Sequence, residues 1–146
     1  MERFPAIMLT VLVGGLVATQ APANASLGRH VSDLGATLVS LLISLAIIAV
    51  LLVASGDARA LANLGEFRPE HALGGIAGAA VVYGSLVAVR PLGAGGVAAA
   101  LVCSQLIVAA VLDKFGLLGL DRTSLSVTHV LGFTLLIAGT LLVTSR

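Results

Sequence analysis

The side chains in this sequence that could do chemistry are few and mostly uncharged. Gln20 and Asn24 stand four residues apart, so on a helix they share a face. Thr10, Gly14, Ala21 and Gly28 extend a small and polar stripe near them. Thr37, Ser40 and Ser44 follow at spacings of three and four, and Cys103, Ser104 and Gln105 stand together further along. Amides and hydroxyls so spaced can hydrogen-bond a polar solute along one wall of a cavity. The alternative for Gln20 and Asn24 is a bond to a neighbouring helix. For Thr37, Ser40 and Ser44 the favoured reading is a bond back to their own helix. Pro22, between the two amides, removes one backbone hydrogen bond, so a bend or frayed turn is expected there.

Ionisable groups avoid the middle of every apolar stretch. Asp113 comes nearest and is the candidate coupling group, one that would gain and lose a proton at depth. The plainer reading is a helix-end charge paired with Lys114 or an arginine. His129 is read as a solvated residue at the entrance of the last stretch. Tyr83 and Phe133 are the only mid-span aromatics, too few for a cage around a quaternary ammonium group. No paired carboxylates, metal-ligand cluster or phosphate loop is visible, and Cys103 has no nearby base and no second cysteine. No enzyme, cofactor or metal is therefore expected.

The elements that must position these residues follow from composition. Of 146 residues, 58% are apolar and 10% charged, with a net charge of +1, and mean hydropathy is +1.11. Soluble domains carry about a quarter charged residues, and a globule this small could not hide so much apolar surface. Disordered chains, disulfide scaffolds and basic nucleic-acid binders are excluded by the same numbers. The chain reads as an all-α integral membrane protein.

Charges fall in clusters at Glu2–Arg3, Arg29–Asp33, Asp57–His71, Arg90, Asp113–Arg122 and Arg146. Five uncharged stretches lie between them, at 4–28, 34–56, 72–89, 91–112 and 123–145, each about the 20 residues that cross a hydrocarbon core. They form one five-helix membrane domain over residues 1–146. Runs such as Leu41-Leu42-Ile43 do not alternate, which excludes a barrel. Ala23-Asn24-Ala25 imitates a signal-peptide cleavage site, but the first stretch is read as a retained helix. Arg90-Pro91-Leu92-Gly93 makes a tight turn between an antiparallel third and fourth span. Gly74 and Gly78, and Gly95, Ala99 and Cys103, are small-residue repeats that let helices approach closely. Arg3, Arg59, Arg68, Lys114 and Arg122 outnumber Arg29, Arg90 and Arg146 on the opposite side, a small bias that puts the N-terminus in the cytoplasm. A bias this small also suits insertion both ways round.

These residues resemble a family. Gly15, Gln20-Ala21, Asn24 and Leu27-Gly28, followed by Ser44, look like the opening of the short YdcZ-like inner-membrane proteins of the drug/metabolite transporter superfamily. Leu73-Gly74-Gly75 with Gly78, Pro91-Leu92-Gly93, Ser104-Gln105, Asp113-Lys114-Phe115-Gly116-Leu117-Leu118-Gly119, Leu131-Gly132 and Gly139 continue the match in order over nearly the whole chain. Ser104, where the family usually has Gly, and Lys114, where His is common, depart from it. The resemblance implies half of a ten-helix inverted-repeat fold. It thereby implies an antiparallel dimer with a second copy or a related chain, in the bacterial inner membrane. In such transporters the solute sits near the midplane, which makes Gln20, Asn24, Ser44, Ser104, Gln105 and Tyr83 the candidate substrate-binding residues. The expected function is secondary active transport of a small polar or amphiphilic solute by alternating access. A non-transporting scaffold subunit and a small channel are the alternatives.

Overall fold

A computed structural model describes residues 3–66, 68–116, 122 and 126–145. Met1, Glu2, the Leu117-Leu118-Gly119 part of the family motif, residues 123–125 of the last expected span and Arg146 lie outside the described residues. The described residues are helical with no strand, and four helices are long and apolar enough to cross a membrane: α1 (Arg3–Val31), α2 (Asp33–Ala54), α3 (Ala72–Phe115) and α4 (Val127–Thr144). Two short 3-10 segments, Asp57–Glu66 and Pro69–His71, join α2 to α3.

The element count differs from the sequence expectation because the turn between the third and fourth spans shrinks to one residue. The two expected spans form a single 44-residue element, α3, whose only non-helical residue is Gly93, at φ 70° and ψ 166°. Pro91 cannot donate a helical hydrogen bond and disfavours helical geometry at Arg90. Gly93 then adopts a conformation that side chains resist. A Cβ at Gly93 would touch nothing within 4 Å, so glycine is needed there for its backbone and not for space. Pro22 has the opposite outcome: α1 runs through it as helix, without the expected fray.

The described helices fall into two units, Met1–Arg90 and Pro91–Arg146. In the first, α1 and α2 are joined by Ser32 alone. Its side chain caps α2 by accepting from the Gly35 N–H at 3.2 Å, and Asp33 adds a negative charge at the helix start, where the dipole favours it. Ala21, Asn24, Ala25 and Gly28 form one buried stripe on α1 at spacings of three and four. Ala36 and Thr37 on α2 and Val82, Ser85 and Leu86 on the first arm of α3 are also buried. Ala25, Ala36 and Leu86 cluster together, with Leu27 and Val89 against them, and Leu86 is 0% exposed. Two alanines leave room for that leucine, so α3's first arm is fitted to α1 and α2 by shape.

In the second unit α4 lies along the second arm of α3. The Thr140 hydroxyl donates across to the Ala99 carbonyl at 3.3 Å. A Cβ on Gly96 would come within 3.4 Å of the Thr144 methyl. Among the described residues, the close approaches made by glycine are at Gly28, at Gly35 against Ser32 and Val31, and at Gly96. At Gly74, Gly78 and Gly95, the positions expected to serve this purpose, an added Cβ would meet nothing within 4 Å. His129 opens α4: its Nδ1 accepts from the Ser126 N–H at 3.2 Å, and its own N–H reaches the Ser126 hydroxyl, a reciprocal cap.

Candidate functional site

In the first unit the polar residues gather around Ser40. The Asn24 side-chain amide, 8% exposed, donates to the Ser40 hydroxyl at 3.2 Å and so ties α1 to α2. The Ser40 carbonyl in turn accepts from the Ser44 hydroxyl at 3.0 Å. Thr37 likewise bonds the Asp33 carbonyl at 2.8 Å. Gln20, half-buried, lies one turn before Asn24 on the same helix. Tyr83, on the first arm of α3, is 41% exposed.

One turn beyond Asn24, towards the α1–α2 junction, stands a bidentate ion pair. Arg90, the last residue of this unit, reaches back to Asp33 at the start of α2: Nη1 donates to Oδ2 at 2.8 Å and Nη2 to Oδ1. The pair lies against Gly28 of α1, where an added Cβ would be 2.7 Å from Asp33 Oδ1 and 3.3 Å from Arg90 Nη2. Three helices therefore meet at one charge pair, and a missing side chain makes room for it. In the sequence these two residues fall in separate charge clusters between apolar stretches, with no local sign of their pairing. The available signal was that five crossings put Asp33 and Arg90, with opposite charges, at the same membrane face.

In the second unit the candidate residues behave differently. Ser104 is exposed and bonds its own helix at the Leu101 carbonyl, 2.9 Å away. Gln105 is exposed, and no hydrogen bond within the described residues reaches its amide. Asp113, two turns further along, is exposed and has no ion-pair partner among the described residues. Lys114, its expected partner, lies over the Phe115 ring at 5.7 Å instead. An apolar groove of about 330 Å³ runs between the second arm of α3 and α4, lined by Ala99, Val102, Leu135, Leu136, Gly139, Thr140 and Val143. Among the described residues no three His, Cys, Asp or Glu side chains gather as a metal site would require.

Chemically, the first unit offers a hydrogen-bonding amide and hydroxyl beneath a charge pair. The second offers an unmatched amide and a carboxylate along one helix. Such groups can bind, release and orient a polar solute. Comparison with the curated proteins and with the solved structures gives no significant match. The family model described as "Putative inner membrane exporter, YdcZ" matches residues 5–142, which takes in α1 through most of α4. With that match and four helices fit to span the bilayer, the chain belongs to the YdcZ family of inner membrane exporters and is a multi-pass transporter protein of the inner membrane.

Proposed function

We propose that this protein is a secondary active transporter that moves a small polar or amphiphilic solute by alternating access, working as an antiparallel dimer of two copies. The observation that carries the reading is Gln105: an amide in the middle of an apolar helix arm, exposed, with no partner among the described residues. In hydrocarbon an unmatched amide is costly. A second copy, a hydrated cavity or a bound solute relieves that cost, and a transporter dimer supplies all three.

The length of α3 supports five crossings. A straight helix of 44 residues would extend about 66 Å, roughly twice the hydrocarbon thickness. Each arm on either side of Gly93 is by itself about the 20 residues that one crossing needs. Five crossings place the two chain ends on opposite sides and make each copy one half of a ten-helix inverted repeat, as in other transporters of that design. Gln20, Asn24, Ser44 and Tyr83 in one unit, and Ser104 and Gln105 in the other, are the solute-contacting groups. Asp113 is the coupling group, and an ion gradient supplies the energy.

Proteoliposomes loaded with a panel of small polar and amphiphilic solutes test this by counterflow. Gln105→Leu is expected to lower exchange of the transported solute by at least about tenfold, the worth of one lost hydrogen bond, while leaving membrane insertion intact. Normal exchange by that variant overturns the assignment.

A further inference from the structure

We propose that the Asp33–Arg90 ion pair is a gate that closes the end of the first unit above Asn24 and Ser40, with Ser32 as its hinge. Four observations carry this. The pair joins residues 57 positions apart, tying the start of α2 to the first arm of α3 where no chain connection holds them, and it lies against Gly28 of α1. It is partly exposed, with the Asp33 and Arg90 side chains 26% and 41% accessible. Ion pairs so exposed are weak enough to exchange for water during a working cycle. It stands seven residues along α2 from Ser40, about 10 Å at the helical rise, so it separates the Asn24–Ser40 bond from that face of the membrane.

The fourth observation is strain at the point where motion would pivot. Ser32 is the single residue between α1 and α2, and it sits at φ 75° and ψ 161°. Only glycine adopts that region readily, and strained residues of this kind accompany elements with two arrangements. A change in the angle between α1 and α2 relieves Ser32 and pulls Asp33 away from Arg90 in one movement. Gly28 belongs to the same device: any side chain there pushes into the carboxylate and the guanidinium together. The closed arrangement is the one described above, with Ala21, Asn24 and Gly28 all buried beneath the pair.

The gate rests on the transport reading, so its test reads thiol accessibility and not solute flux. Ala21→Cys places a reporter two turns beneath the pair, on a Cys103→Ser background in nanodiscs, with a water-soluble maleimide as probe. Val97→Cys, buried in the other unit, is the control. A site reachable only in the open form labels at a rate set by the open fraction. The chain with the pair intact is therefore expected to label slowly but to completion at Ala21→Cys. Asp33→Asn and Arg90→Gln each raise that rate about two- to fivefold and leave Val97→Cys unlabelled. The charge swap Asp33→Arg with Arg90→Asp restores slow labelling. Gly28→Ala, which displaces the pair without removing charge, gives an intermediate rise.

Equal labelling with and without the pair overturns the gate alone, as does a swap that fails to restore slow labelling. A reporter that stays unlabelled with the pair intact, and opens only when a charge is removed, marks a permanent staple and also overturns it. A rise at Ala21→Cys and Val97→Cys together reports general loosening and counts against it too. No labelling in any variant removes the aqueous path itself and overturns the transport reading with it.

Discussion

Residues 1–90 and 91–146 are both apolar helical units, yet they treat their polar side chains in opposite ways. The first matches its cross-helix polar groups internally: Asn24 with Ser40, and Asp33 with Arg90 over Gly28. It also buries Leu86 completely between alanines. The second is joined by one hydroxyl-to-carbonyl bond, from Thr140 to Ala99, and leaves Gln105 and Asp113 unmatched among the described residues. In lipid, where apolar contact gives little net drive for helix association, shape and polar bonds decide what holds together. The first unit therefore has the means to hold itself. The second leaves two polar groups without a partner among the described residues.

The packing of the first unit depends most on Leu86. Leu86→Ala is expected to destabilise the first unit by about 2–3 kcal/mol, towards the lower end for a buried leucine because lipid replaces water as the alternative surroundings. Reversible unfolding in mixed micelles measures it, and the Thr140–Ala99 region should be unaffected. Gly93→Ala should cost about 1–3 kcal/mol through backbone strain alone, since no neighbour occupies the space beside it. Asn24→Ala should cost about 1 kcal/mol, and a double-mutant cycle with Ser40→Ala should return a coupling of about 0.6 kcal/mol, the usual size of such bonds in membranes. A coupling near zero would remove the polar tie from the account of the first unit. The smallest effect on stability is expected at Gln105→Leu, within about 0.5 kcal/mol, because no internal bond is lost. A large loss of stability in the isolated chain would show that Gln105 is matched within its own fold, and the contrast between the units would fall.

Much of the fold was legible because charge spacing is coarse and robust. Clusters such as Arg29–Asp33 and Asp57–His71 mark where apolar helices must stop, whatever their internal contacts. Finer features depended on geometry that spacing does not carry. Arg90-Pro91-Leu92-Gly93 had the composition of a loop, but only Gly93 leaves helical geometry; Pro91 stays helical in the last turn before the break, where it removes one backbone hydrogen bond. Pro22 sits in α1 without ending it. Ser40 was one hydroxyl among three at helical spacing. Ser44 and Thr37 do bond their own helix, and nothing local distinguishes the one that accepts a bond from Asn24. The Asp33–Arg90 pair was hidden for a different reason: each residue looked like a solvated helix-end charge, and their meeting depends on Gly28 leaving room. Glycine repeats were a poor guide, because spacing alone does not say which glycine faces a neighbour.

The proposed pairing of two oppositely oriented copies is read out by the orientation of the chain ends. Single cysteines at each chain end, on a Cys103→Ser background, are exposed to an impermeant maleimide in intact cells expressing this chain alone. Five crossings in an inverted pair predict that both ends label, each in part of the population. Labelling of one end only, in every molecule, would mean a fixed orientation and would contradict the inverted homodimer.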